Sequence, residues 1–471
     1  MTVSIYSSLE PSRFCYLPDQ QQFVFQDSRF TPDLLGVGER RTAMYRERFL
    51  MIQQQLFKDE RFLNGAVGAN GQVGKGWSDS GLGLFGGFSS SSALTTQNRT
   101  PSLLAMRSDD RFEITPVESL PGNPGIKFVF GMLTKVEENR LSVEGLSQAV
   151  ALDLSKACVS RDFICEGSFV LLKGVMEDTV FRVKEITLPV EPRREFCDLS
   201  KDWFTGEAVH SIAFKENNSI AVLSEIHLDR PSVLAQLDTL FSGYENAEAI
   251  PSAYVLIGNF LSSRVGVDGA LVRAYQRAFE DFGRLLAKHP ETVRRSRIIM
   301  IPGSQDPGCG RSLPQAGLSD FLTYDVRQRY GVMLASNPVR IKLGDREVVI
   351  MSGGLAGALK RRRIVGQEDH DVNKMVARAV INQMHLWPVN DDRGVIWDWD
   401  NALRLYPVPH AIFLAEGKVS NHCMHAGCHF STVGAFGKEG AFFLYSPSQQ
   451  SKDTEVELSK LSPIDEESDA E

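Results

Sequence analysis

The chain has 471 residues, 42% of them hydrophobic and 23% charged, with a formal net charge of −8. That length predicts two or three domains, and the balance excludes a chain disordered throughout. No stretch of about 18 apolar residues is present to span a bilayer, and the opening MTVSIYSSLEPSRF lacks the basic and apolar segments of a secretory signal, so no membrane partner is expected.

Residues from about 39 to 57 carry Tyr45, Phe49, Ile52 and Leu56 at the spacing of one helical face, which leaves Arg46, Glu47 and Arg48 pointing elsewhere. This helix belongs to an N-terminal segment, 1–63, that packs on the body. Residues 64–110 are rich in glycine and hold four consecutive serines at 89–92, which predicts a flexible insert. A formal GxGxxG inside it, Gly81 to Gly86, lacks the preceding strand and following helix that dinucleotide binding needs.

Five β-rich runs follow, at 128–133, 140–144, 148–154, 168–176 and 179–188. Short strands at that spacing predict an OB-type barrel within 111–195. Such barrels bind single strands by stacking bases on exposed aromatics. Phe128, Phe130 and Phe181 are the aromatics available, but their alternation with valine predicts a buried face.

From Ser219 onward the pattern changes to strands at 219–224, 253–257 and 297–301, alternating with a Pro231-started helix and a long amphipathic one through Leu271, Tyr275, Ala278, Phe282 and Leu285. That rhythm predicts an α/β sheet. Runs at 339–343 and 347–351 flank Gly344-Asp345-Arg346 as a hairpin. A helix near 372–386, a strand at 411–415 and a final β pair, 428–436 with 441–445, complete one large domain over 205–450. The overall class is α/β plus all-β.

The tail, 451–471, holds eight acidic residues against two lysines, which supplies most of the net charge and predicts disorder. The remaining body is near neutral, without the basic surplus of a protein that grips duplex DNA alone. Lys360 to Arg363, and Arg294, Arg295 and Arg297, are local basic groups read as solvated turns or helix ends. Seven cysteines without a CxxC pair argue for a reducing compartment and against a disulfide framework.

In open α/β sheets, functional residues gather at the carboxyl ends of strands. Here those ends read Ser224-Glu225-Ile226-His227, Gly258-Asn259-Phe260 and Pro302-Gly303-Ser304-Gln305-Asp306. The succession resembles the calcineurin-like metallophosphoesterases, whose ends carry D-x-H, G-D and G-N-H-D/E around two metal ions. The resemblance puts Glu225 in place of the first Asp, keeps His227, and puts Asn259 where an Asp would bridge the metals. Ser304 replaces a ligating Asn, Gln305 replaces the catalytic His, and Asp306 remains as the helper of that missing histidine. Glu416-Gly417 stands where a G-H-x-H would follow the strand at 411–415. Two adjacent cations need carboxylates between them, so no catalytic residue, metal or cofactor is expected, and these six positions mark an inactivated site. His422, Cys423, His425, Cys428 and His429 cluster within eight residues, but their spacing matches no standard zinc module.

An OB-type barrel followed by an inactivated calcineurin-like phosphoesterase domain resembles the B-subunit family of eukaryotic replicative DNA polymerases. Short motifs are similar to the epsilon branch: Tyr45-Arg46-Glu47-Arg48-Phe49, FVFGM at 128–132, LDLSK at 152–156, Pro302-Gly303 with Asp306-Pro307-Gly308, and LYPVP at 405–409. The resemblance implies a nuclear, non-catalytic accessory subunit that binds the C-terminal cysteine-rich domain of the polymerase epsilon catalytic subunit. Replicative helicase components are a further implied partner, with DNA touched only within the complex. Epsilon-type members begin with a small helical domain, and this sequence opens almost at the segment before the barrel. A residual metal-dependent phosphodiesterase and a delta-type B subunit are the alternatives.

Overall fold

The computed structural model describes residues 3–9, 13–17, 22–26, 36–64, 101–137, 140–194, 218–263, 269–307, 310, 312–366, 371–390, 394–417, 419–447 and 455–461. Most of the expected insert at 64–110, its GxGxxG included, and the last ten residues lie outside them. Two compact units are present. One comprises Met1–Ile52, Arg161–Ser168 and Val190–Glu471, the other Gln53–Ser160 and Phe169–Pro189.

The chain starts with strand β1 (Val3–Ser7) and helix α1 (Gly38–Lys58). The smaller unit contains β2 (Ile126–Glu137), β3 (Arg140–Glu144), β4 (Ala149–Asp153), β5 (Phe169–Glu177) and β6 (Val180–Thr187). Antiparallel pairings join β2 to β3, β3 to β4, β6 to β5 and β5 back to β2, while β4 and β6 run parallel. The five strands close into a barrel of order 2-3-4-6-5, so no edge is left between them. Phe128, Phe130, Leu171, Phe181 and Ile186 are buried, as the valine–phenylalanine alternation predicted. Strands at Phe62–Asn64 and Phe112–Ile114 extend the sheet from β2, stacking Phe62 on Phe112 and setting Phe112 edge-on to Phe128. The register slips between Lys173 and Gly174, and a Cβ at Gly174 would collide with the carbonyl of Arg182. Only glycine lets the strands approach there.

The larger unit continues with β7 (Ile220–Ser224), α2 (Pro231–Asn246), β8 (Ala253–Ile257), α3 (Gly269–Lys288), β9 (Arg297–Ile301), α4 (Asp320–Tyr330), β10 (Val339–Leu343), β11 (Arg346–Ser352), α5 (Leu355–Arg362), α6 (Val372–Asn382), β12 (Ala411–Ala415), β13 (Asn421–His425), β14 (Cys428–Val433), β15 (Ala441–Tyr445) and β16 (Val456–Lys460). With β1 and the short strand Met333–Leu334, these ten strands form two six-stranded sheets. The first runs from the short strand Met333–Leu334 through β9, β8, β7 and β15 to β16, with β7, β8 and β9 parallel. The second runs β1, β10, β11, β12, β14, β13. Strands buried on both faces need apolar residues along their length, and β8 and β12 supply them throughout and β7 up to its last residue, Ser224.

One apolar layer lies between the sheets, where Val222, Val255, Ile257 and Ile299 meet Ile341, Ile350, Phe413 and Val433. The opposite face of the first sheet is covered by α2, α3 and α4 through Leu237, Phe241, Phe279, Phe282 and Val326. The opposite face of the second is covered by α5 and α6 through Leu355, Leu359, Val376 and Val380. Four layers result, helix, sheet, sheet, helix, with both sheets buried.

Three expectations need correction. The predicted final β pair does not form. β14 pairs with β12 and β13 in the second sheet, whereas β15 pairs with β7 in the first. The tail predicted as disordered contains β16, which pairs antiparallel with β15 because Val456 shares the inter-sheet apolar face. Arg48, expected to point away from the apolar face of α1, is buried with a carboxylate partner.

Candidate functional site

The carboxyl ends of β7, β8 and β9 bring four of the six predicted positions together. Glu225 leaves β7 with φ at 54°, a conformation that a non-glycine residue adopts only at a cost of about 1–3 kcal/mol. Its carboxylate Oε2 lies 3.0 Å from His227 Nε2. The Asn259 side-chain amide donates to the same carboxylate, 3.1 Å to Oε2 and 3.3 Å to Oε1. Asn259 Oδ1 in turn accepts the Gln305 backbone N–H at 2.8 Å. Both polar ends of the asparagine are therefore used inside the cluster.

Asp306 sits behind them, 5% exposed. Its Oδ1 accepts the Phe260 N–H at 2.9 Å and its Oδ2 the Gly303 N–H at 2.8 Å, which ties the loop after β8 to the loop after β9. Burial pushes its carboxyl up to about 7, against the pull of those two amides, and the nearby Glu225 carboxylate adds to the rise. Gly258 is required here, because a Cβ would run into the Asp306 carboxylate. Ser304 and Gln305 point to solvent, and only the backbone of Gln305 joins the cluster. After β12, Glu416 Oε1 accepts the Ala356 N–H at 3.3 Å, and Gly417 lies against the Glu225 side chain.

The arrangement holds one carboxylate satisfied by an imidazole and an amide, beside a buried carboxyl satisfied by backbone. Among the described residues, no three His, Cys, Asp or Glu side chains converge as a metal-ligand set. The His/Cys cluster is split by strand alternation. His422 Nε2 meets His429 Nδ1 at 3.1 Å, Cys423 and Cys428 enter the core under α6, and His425 bonds Asn382. Burial raises the Cys423 thiol to about 11, which leaves it protonated at neutral pH. Lys360, Arg361 and Arg362 form the exposed last turn of α5, where cations oppose the helix dipole.

A second constellation escaped sequence reasoning. Asp400 is buried and receives Arg48 Nε at 2.9 Å, Arg404 Nε at 2.8 Å and His385 Nε2 at 3.2 Å. Arg404 also reaches Glu47 at 2.6 Å. Burial opposes ionisation of Asp400, but the guanidiniums of Arg48 and Arg404 overrule it and hold the carboxyl well below its ordinary range. Burial, then Arg48, pushes His385 down to about 4. The Trp387 N–H donates to His385 Nδ1 at 3.0 Å, and Nε2 lies between Arg48 Nη2 at 2.9 Å and Asp400 Oδ1 at 3.2 Å. The available signal was the charged triplet Arg46-Glu47-Arg48 in the middle of an amphipathic helix.

With this geometry in place, residues 220–422 match the family described as the B subunit of DNA polymerases alpha and epsilon. Residues 87–190 match the OB-fold domain described as DNA polymerase epsilon subunit 2-like. Over these two stretches the chain is similar to the B-subunit family of replicative DNA polymerases. The curated relatives it resembles are of the epsilon type: the B subunit of DNA polymerase epsilon from Arabidopsis thaliana is 29% identical over 90% of this chain and 77% of its own length. The epsilon subunit 2 of Homo sapiens is 26% identical over 97% of this chain and 83% of its own length. Among solved structures, a hypothetical protein of Pyrococcus horikoshii covers 52% of this chain and 89% of itself at 13% identity, with a TM-score of 0.28. A novel archaeal phosphodiesterase covers 52% and 99% at 8% identity, with a TM-score of 0.26. Overlays this loose carry no argument about function.

Proposed function

We propose that the chain is a non-catalytic scaffold of the polymerase epsilon holoenzyme, built on a calcineurin-like phosphoesterase framework whose metal centre has been replaced by side-chain hydrogen bonds. The observation that carries this reading is the Asn259 amide donating to the Glu225 carboxylate. A metal-bridging carboxylate is needed at that position to hold two cations. A neutral amide there uses the carboxylate that a cation would otherwise claim. Glu225, His227, Asn259 and Asp306 then serve to lock the loops after β7, β8 and β9, and Ser304 and Gln305 have lost their roles.

The partner is the cysteine-rich C-terminal domain of the epsilon catalytic subunit, and the site of action is the nucleus. Any contact with helicase components or with DNA occurs inside that assembly, since the body carries no basic surplus. The names of the relatives cited, subunits of DNA polymerase epsilon, support a place in that assembly rather than in the delta one. Co-expression with the epsilon catalytic chain is expected to give a stable stoichiometric complex on size-exclusion chromatography with light scattering. A chain that stays monomeric beside that partner refutes the scaffold reading.

The Glu225–His227 pair favours a residual phosphodiesterase as the second reading. It requires manganese-stimulated cleavage of an aryl phosphodiester, lost on His227→Ala. Turnover no higher than buffer removes it.

A further inference from the structure

β16 ends the first sheet, and its bonding phase settles which amides face outward. The Ser446 N–H reaches the Glu455 carbonyl at 2.7 Å and the Leu461 N–H reaches the Gly440 carbonyl at 2.9 Å. In an antiparallel ladder, inward bonds recur at every second residue. Glu457 and Ser459 therefore bond β15, and the backbones of Val456, Leu458 and Lys460 face outward. Among the described residues, no strand lies on that side.

The side chains of this edge are equally incomplete. Leu458 lies opposite Phe443 and Val456 opposite Tyr445, so they continue the inter-sheet apolar face, yet Leu458 is 40% exposed. Glu457 occupies the other face and is exposed. The surrounding sequence, 451–471, is strongly acidic. Native proteins blunt an open edge by shortening, twisting or covering it. A second copy of the same strand is a poor cover, because its acids would repel these.

We propose that the outer edge of β16 is a docking site for an extended segment of another polypeptide, with apolar residues on one face and lysine or arginine on the other. The segment adds as a further strand, bonding Val456, Leu458 and Lys460 through its backbone, covering Leu458 and pairing its cations with Glu457. This surface stands on the geometry of β16 alone and does not depend on the phosphoesterase reading.

The test uses the full chain and a capped, fluorescent peptide of alternating lysine and valine, KVKVKVK, followed by anisotropy at low salt. A second peptide is methylated on alternate backbone amides, which removes the strand bonds and keeps the charge. Leu458→Pro removes one outward N–H without touching the bonds to β15, and Glu457→Lys reverses the local charge. Each of the three changes is expected to weaken binding about tenfold. No binding of the parent peptide to the wild type overturns the proposal, and so does equal binding of the methylated peptide. If Leu458→Pro disturbs folding, by circular dichroism and melting, Glu457→Lys and the methylated peptide still decide: wild-type affinity with either one refutes the docking site.

Discussion

Asn259→Asp is the most informative single change in the chain. It is nearly isosteric and keeps the oxygen that accepts the Gln305 N–H. It converts the donor 3.1 Å from Glu225 Oε2 into a second carboxylate oxygen. Two unit charges at that separation repel by about 5 kcal/mol at an effective dielectric of about 20, and the lost charge-assisted hydrogen bond adds about 1.5–3 kcal/mol. The pair evades part of this by sharing a proton, so the net destabilisation at pH 8 is expected to be about 3–5 kcal/mol. Two carboxylates sharing a site take up a proton more readily than one alone, so the penalty is expected to shrink from pH 8 to pH 5. Urea denaturation at both pH values reads the difference. Manganese is then expected to raise the melting temperature of the variant and leave the wild type unmoved, because binding to the folded state alone stabilises it. A variant as stable as wild type at pH 8, or a wild type raised as much by manganese, refutes the idea that the amide stands in for a cation.

Four further outcomes follow from the geometry. The folded Asp306 carboxyl, pushed up to about 7, holds a proton that the unfolded chain has already released, so its contribution is full below about pH 4 and is lost as pH rises through 7. The stability advantage of wild type over Asp306→Asn should therefore shrink by on the order of 4 kcal/mol between pH 4 and pH 8 in urea titrations; a constant gap contradicts it. His385, held down to about 4, acts in the opposite sense, with stability full above its ordinary 6.5 and lost as pH falls through 4. His385→Gln should remove an acid-side loss on the order of 3 kcal/mol, visible once Asp306 is also replaced. Asp400→Ala leaves Arg48 without its carboxylate and Arg404 with Glu47 alone, and should cost about 3–5 kcal/mol by chemical denaturation, with a loss under about 1 kcal/mol disproving the network's role. Gly258→Ala forces a methyl against the Asp306 carboxylate and should cost about 2–3 kcal/mol, whereas a melting temperature at the wild-type value means the loops yield freely.

Much of the larger unit was legible because its parallel strands are continuous apolar runs ended by turn residues. Ile220–Ser224, Ala253–Ile257 and Arg297–Ile301 each announced both a strand and the residues that leave its carboxyl end. That is why Glu225, His227, Asn259 and Asp306 could be grouped beforehand. The sheet assignment of β14 and β15 was not legible, since neighbours in sequence usually pair and a four-residue helix at Phe436–Glu439 carries the chain from one sheet to the other. β16 was hidden by its charge, because Val-Glu-Leu-Ser-Lys is a weak alternation inside an acidic stretch. The burial of Arg48 depends on Asp400, 352 residues away, and no local pattern announces a partner at that distance. Ser304 and Gln305 were grouped by motif alone, and their side chains take no part in the cluster.

The pairing of Val3 with Leu343 also sets a timetable for assembly. The smaller unit draws its strands from a short span and can close early, whereas β1 has nothing to bond until β10 has been synthesised. Joining ends so far apart carries the larger entropic toll, so the outermost strand of the second sheet should be among the last pieces to acquire protease resistance on a growing chain. A strand made long before its partner would then be among the last to settle.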